Sequence, residues 1–277
     1  MEQTERKGYY ALEAWFRNGD GSPRSIYSSD VKGNDFKLKD LPSVIDDILY
    51  KHDTNVLPVG EKLAAYREQF TIEFFLPIQL LNEPVEQWKL PSTGRMLGVD
   101  HRLVIRFCDF IPAGNGKTKA TSWLHDLQFL CREHPDVLSN LEKSGINWLE
   151  QFDPTKEEHT DKLHEFLHNG KLFVILQFPL DKKSFLRLIR PGTPFLFWAR
   201  CWDDSEKECL RQKFEELLED CKKLEELPEV LMKKRRKTVS ECRTNGMSMI
   251  CNLSLFWNKH DKVLSLIHSK LTAPDSQ

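Results

Sequence analysis

Short apolar runs alternate along the chain with amphipathic stretches. Phe70–Leu76, Leu103–Phe107, Lys171–Phe178, Pro194–Ala199 and Ile250–Trp257 are rich in β-branched and aromatic residues. Runs this short and continuous predict buried strands, in the interior of a covered sheet. Pro77 and Pro179 stop two of them, because proline cannot donate to a sheet ladder. Between the runs the period changes. Leu41, Val44, Ile45, Ile48 and Leu49 recur at helical spacing, with Pro42 near the first helical position, and predict an amphipathic helix. Ala120–Cys131, Pro135–Lys143, Thr155–His168 and Lys183–Ile189 read as further helices, with Gly145 and Asn169-Gly170 as stop signals. Asp203-Asp204-Ser205-Glu206 opens a long helix, its acidic first turn matched to the helix dipole. Leu210, Phe214, Leu217, Leu218 and Cys221 line one face of it, and another helix starts near Pro228.

Near the start, Tyr9–Phe16 and Arg24–Ser29 flank Asn18-Gly19-Asp20-Gly21-Ser22-Pro23, which predicts an antiparallel hairpin. Strands alternating with helices favour one layered α/β domain, a mixed β-sheet flanked by helices. The N-terminal β-hairpin is expected to supply its antiparallel edge. The expected boundaries are a disordered N-terminus over 1–8, the domain over 9–265 and a loose C-terminus over 266–277.

Composition narrows the class without naming a chemistry. A 40% hydrophobic and 30% charged content is that of an ordinary globular protein. A formal net charge of −2 gives no global pull toward nucleic acid or an anionic membrane. Seven cysteines, with no C-x-x-C pair, read as reduced thiols of a cytoplasmic protein. Met1–Lys7 lacks the apolar core of a signal peptide, and no run of about 18 apolar residues offers a membrane span.

Ile72-Glu73-Phe74-Phe75-Leu76-Pro77 is followed by Leu80-Leu81-Asn82-Glu83-Pro84-Val85-Glu86-Gln87-Trp88. This pair of blocks resembles the hallmark of the C-terminal domain of vWA–MoxR-associated proteins, VMAP-C. Leu103-Val104-Ile105-Arg106 is similar to that family's apolar strand ending in arginine. Gly192-Thr193-Pro194-Phe195-Leu196-Phe197-Trp198-Ala199-Arg200 is similar to its Gly-x-Pro-apolar-Trp-x-Arg strand. Leu227-Pro228 with Arg235, then Leu253-Ser254-Leu255-Phe256-Trp257, resembles its closing segment. The resemblance runs from about Tyr9 to Trp257 and leaves no room for an effector domain within these residues. It departs from the family pattern at Asp109, where a second basic residue is usual, and at Asn258-Lys259-His260, where many relatives look acidic. It implies a non-enzymatic regulatory or adaptor protein of a bacterial conflict (defence) system. It further implies no cofactor, and a protein partner such as an effector protease, a MoxR-type AAA+ ATPase or a vWA protein.

Residue patterns with chemical potential are few. His164-Glu165-Phe166-Leu167-His168 places two imidazoles one helical turn apart, where they could bind zinc with Glu165 as general base. A zinc-dependent hydrolase is therefore the competing class. Against it, the helix stops at Asn169-Gly170, the flanks are charged, and Lys182–Arg190 offers cations where a third ligand would be convenient. Gly114-Asn115-Gly116-Lys117-Thr118 lacks the first glycine of a phosphate loop, that position being Ile111. Lys233–Lys237 is a basic run without interleaved aromatics, which reads as a solvated helix face rather than a nucleic-acid site. No Gly-x-Ser-x-Gly elbow exists, and Cys201, Cys209, Cys221, Cys242 and Cys251 read as packing residues. Glu73, Arg106 and Arg200 stand in or beside apolar strands, where a charge needs a partner or marks a strand-end site. A Glu73–Arg106 ion pair is one expectation. A partner-binding surface around Arg200, Trp202, Trp257 and Trp88 is the other, since arginine and tryptophan are enriched at binding hot spots.

Overall fold

The computed structural model describes residues 2–3, 9–16, 24–28, 36–56, 71–107, 120–134, 146–149, 151–153, 155–176, 180–200, 207–221, 223–241 and 249–258. Two small sheets open the chain. Strands β1 (Glu2–Gln3), β2 (Tyr9–Ala11) and β5 (Phe36–Lys37) form one of them, and β3 (Glu13–Phe16) with β4 (Arg24–Ser28) forms the other. The β3–β4 pair is the antiparallel hairpin expected from the turn cluster, but it stands by itself and is not an edge of the main sheet. Glu2 and Gln3 pair with Ala11 and Tyr10, and the rest of the 1–8 segment lies outside the described residues.

The main sheet contains β6 (Thr71–Leu76), β7 (Arg102–Phe107), β8 (Ile146–Leu149), β9 (Phe173–Leu176), β10 (Phe195–Ala199) and β11 (Leu253–Trp257). Their spatial order is β6-β7-β11-β10-β9-β8. All neighbours are parallel except β10 and β11, which pair antiparallel from Phe195↔Trp257 to Ala199↔Leu253. The sheet is thus mixed, as expected, but its antiparallel seam lies in the middle. Two parallel triplets meet there, joined by the last of the described strands. Of the interior strands, β9, β10 and β11 are buried at every position, and β7 from Leu103 to Arg106. Strand β6 differs from the expectation. It is an edge strand that buries Phe74 and Leu76 while Thr71 faces solvent.

Helices cover both faces. Phe197 and Phe256 point to opposite sides of the sheet, since their register partners are Leu255 and Leu196. Phe185 of helix Lys182–Ile189 meets Phe256 edge-on, with ring centroids 5.6 Å apart, while Phe214 of helix Lys207–Glu219 meets Phe197 at 4.7 Å. Helix Lys182–Ile189 begins on Asp181, whose carboxylate accepts the Lys183 and Ser184 amides at 2.8 and 3.0 Å. Helix Leu41–Val56 buries Leu41 and Ile45, and helix Ala120–Glu133 buries Leu127 and Leu130. Helices Glu157–His168 and Leu227–Glu241 and the short turns Leu97–Asp100 and Met249–Asn252 complete the described set. Among the described residues no helix is long and apolar enough to cross a membrane.

The connection from β6 to β7 positions the site. Parallel strands need a crossover, usually a long helix. Here residues 77–101 make it from two 3-10 turns, Ile78–Leu80 and Val85–Gln87, a tight turn, and helix Leu97–Asp100. Gly94 takes φ +67° in the tight turn, a value only glycine adopts freely. Asp46 of helix Leu41–Val56 holds the same turn by accepting both the Ser92 amide and its hydroxyl at 2.6 Å. Trp88 packs edge-on against Phe74, ring centroids 5.9 Å apart, and donates its indole N–H to Glu83 at 2.6 Å.

Candidate functional site: a buried ion network at one end of the sheet

Antiparallel pairing brings the end of β10 beside the start of β11, and the Arg200 amide donates to the Asn252 carbonyl at 3.1 Å. The crossover lays Glu86 and Gln87 over this same end. Arg200 Nε and Nη2 donate to the Glu86 carboxylate at 3.1 and 3.5 Å, and Nη1 donates to the Leu81 carbonyl. Both side chains are only 2% exposed. The guanidinium lies 5.1 Å from the centroid of the Trp198 ring. Gln87 donates its amide to the Asn252 side chain.

A second arginine reaches the same place from helix Leu227–Glu241. Arg235 is buried, its Nη2 donating to the Leu253 carbonyl at 2.6 Å and its Nε to that of Ile250 at 3.4 Å. Burial lowers its pKa from the ordinary arginine value, while the nearby Glu86 carboxylate pulls it back up. Gly98 makes the approach possible. A Cβ there would meet Arg235 Nη1 and the Glu86 carbonyl, each at 2.9 Å. Next to it Arg236 donates to the Val99 carbonyl at 3.3 Å. The basic run is thus divided. Arg235 and Arg236 turn inward, while Lys233 pairs with Glu229 at 2.6 Å and Lys234 with Asp220 at 2.7 Å.

The second charged pair is Glu73 with Arg106, diagonal neighbours on adjacent strands. Arg106 donates Nε and Nη2 to the two Glu73 oxygens at 3.0 Å each, and Nη1 to the Trp257 carbonyl. Their exposures are unequal, 3% for Arg106 and 31% for Glu73. That inequality sets an expected result. Glu73→Gln leaves a dry guanidinium without its counter-ion and should cost about 2–3 kcal/mol, reduced from a fully buried pair by solvent at Glu73. Arg106→Met leaves a carboxylate that water can reach, and its loss in urea unfolding should be smaller. Equal losses would show that exposure does not set the cost.

The structure brings together some of the residues singled out in the sequence and separates others. Arg200 is an internal ion-pair partner. Trp88 and Trp257 are core residues at 7% and 8% exposure, whereas the sequence pattern sets these three on a partner-binding surface. Trp202, Cys201, Cys242, the Gly114–Thr118 loop and the helix expected over Pro135–Lys143 lie outside the described residues. His164 is half-buried and His168 exposed, and His134 Nε2 lies 3.0 Å from the His168 carbonyl oxygen. Among the described residues no three His, Cys, Asp or Glu side chains gather as a metal site would require. Burial, with Glu226 and Glu225 nearby, pushes the Cys221 thiol up to about 12, so it stays neutral.

Glu86 and Arg235, the centre of the network, were quoted in the sequence only as parts of longer motifs. Arg235 carried a usable signal. Leu227, Leu231 and Arg235 are spaced by four residues, which places the arginine on the buried face of its helix. Glu86 carried none, because nothing in Pro84-Val85-Glu86-Gln87-Trp88 tells which way a 3-10 turn aims its side chain.

These features define a single mixed-sheet α/β domain whose parallel crossover is clamped by the buried Glu86–Arg200 pair and whose β6 and β7 strands are tied by Glu73–Arg106. Every charge of those pairs sits within the segments that resemble VMAP-C. The vWA-MoxR associated protein C-terminal domain model matches residues 8–259, and the chain belongs to that family. No curated protein and no solved structure matches it.

Proposed function

We propose that this domain is a non-enzymatic regulatory adaptor of a vWA–MoxR-associated conflict system, acting in the cytoplasm by binding a protein partner. The partner classes that fit the family are an effector protease, a MoxR-type AAA+ ATPase and a vWA protein. The observation that carries this reading is what the charged residues of the family motifs do. Glu86 with Arg200 and Glu73 with Arg106 are paired inside the fold, and Arg235 is held by backbone carbonyls. A catalytic centre needs convergent polar groups facing a space for substrate. These groups instead brace the crossover and tie the strands beside it, which suits a domain that presents a rigid surface.

The test is capture from the native cell with the purified protein as bait, beside elemental analysis of the same preparation. The expected result is recovery of one of the three partner classes, with no stoichiometric zinc. Failure to capture any of them, together with one zinc per chain that His164→Ala removes and a peptide hydrolysis lost with it, would replace the adaptor by a hydrolase.

A further inference from the structure

Strands β8, β9 and β10 lie side by side and parallel, so the helices that return the chain between them, Glu157–His168 and Lys182–Ile189, both run back against the strands. They are therefore parallel to each other, and they pack together. Leu163 and Leu167 of the first and Phe185, Leu188 and Ile189 of the second are buried. The sides turned away from the core carry opposite charge. On the first helix Glu157, Glu158, Asp161 and Glu165 are all exposed. At about 100° per residue their spacing of i, i+1, i+4 and i+8 gathers them into one ridge. On the second, Lys182, Lys183, Arg187 and Arg190 are exposed at i, i+1, i+5 and i+8, with the exposed Leu186 among them. Each ridge is about 12 Å long, so the two match in length.

Exposed charges need not be left in this state. On helix Leu227–Glu241 the lysines are paired, Lys233 with Glu229, Lys234 with Asp220 and Lys237 with Glu241. On the two ridges, Glu158 lies 3.9 Å from the His159 ring, and the other seven charges make no ion pair among the described residues. Like charges spaced by four, as in Glu157, Asp161 and Glu165 or in Lys183 and Arg187, work against each helix. Lys182 and Lys183 also sit in a first turn that holds no acidic residue, at the positive end of the helix dipole. An opposite ridge laid on each would relieve this repulsion. Neighbouring ridges of opposite sign on one face are what a self-complementary two-fold contact requires. We propose that helices Glu157–His168 and Lys182–Ile189 form the interface of a two-fold dimer with a second copy of this chain, each acidic ridge lying over the basic ridge of the other copy. A two-fold axis parallel to the two helices and between them makes both pairings at once. The exposed Glu215, Glu216 and Glu219 lie on the other face of the sheet, where Phe214 meets Phe197, so a contact through them would be head-to-tail and would not close this way. The contact is small and polar, which makes the association weak and dependent on salt.

Sedimentation equilibrium of the full chain tests this. The expected result is a reversible monomer–dimer equilibrium whose dissociation constant rises about tenfold between roughly 0.05 M and roughly 0.5 M sodium chloride. Lys183→Glu combined with Arg187→Glu should leave a monomer, and so should Glu158→Lys combined with Asp161→Lys. Mixed in equal amounts, the two reversed chains should form a heterodimer, because each then offers two ridges of one sign to a copy with two of the other. A chain carrying all four substitutions should dimerise by itself again. A parent chain that stays monomeric at about 100 µM in low salt would overturn the proposal. So would a dimer indifferent to salt and to these substitutions, growth into longer assemblies, or reversed chains that fail to pair when mixed.

Discussion

Glu86→Gln should destabilise the domain by about 3–5 kcal/mol, the range for breaking a buried ion pair by removing one partner. Arg200→Met should cost roughly 2 kcal/mol less, although it removes the other half of the same pair. The asymmetry follows from the third charge. Without Glu86, two guanidiniums remain in a dry site with no carboxylate between them. Without Arg200, Glu86 keeps Arg235 beside it, and the pKa of that arginine already registers the attraction. The double variant should fall close to Glu86→Gln or above it in stability, rather than at the sum of the single losses. Urea unfolding of the three variants measures the order. If Arg200→Met proves the more damaging, Arg235 does not serve as a second partner for Glu86.

An equally large loss is expected from a single methyl group at Gly192. This residue closes helix Lys182–Ile189 before β10, with φ +82°. It also lies flat against the backbone of helix Ala120–Glu133. A Cβ would fall 2.5 Å from the Leu127 nitrogen and 2.7 Å from the Asp126 carbonyl carbon. Backbone cannot rotate aside as a side chain can, so helix Ala120–Glu133 must lift away. Gly192→Ala combines that overpacking with an unfavourable backbone angle, and should cost about 3 kcal/mol or more. Gly94→Ala is the control. It has a similar positive φ of +67° but nothing within 4 Å of a new Cβ, so only the backbone component remains, about 1 kcal/mol. Similar losses at the two positions would show that the helix contact is not tight.

The strands were legible because their signal is local. Leu-Phe-Val-Ile-Leu at 172–176 and Phe-Leu-Phe-Trp-Ala at 195–199 are apolar at every position, and such runs are buried wherever the fold puts them. Strand β8 was missed because Ile146–Leu149 is four residues long and interrupted by Asn147 at a sheet edge. The place of the antiparallel pair was missed for a different reason. Strand order depends on which distant segments meet, and periodicity says nothing about that. The Glu73–Arg106 contact was legible as two charges in apolar strands that turned out to be neighbours. The partner of Arg200 was not, because Glu86 lies 114 positions away in a turn. An arginine after an apolar strand looks the same whether it faces a binding partner or an interior carboxylate.

The central place of β11 governs the order in which the sheet can be made. Strands β7 and β10 each need β11 as a neighbour, and β11 is residues 253–257. While the ribosome is still short of that point, β6 with β7 and β8 with β9 and β10 could pair only as two unfinished half-sheets. Each then presents an apolar strand with a bare row of backbone donors and acceptors. Such edges recruit other chains, and long-range pairing of this kind forms slowly. Until β11 emerges, β7 and β10 each carry a sticky margin, and one insertion seals both.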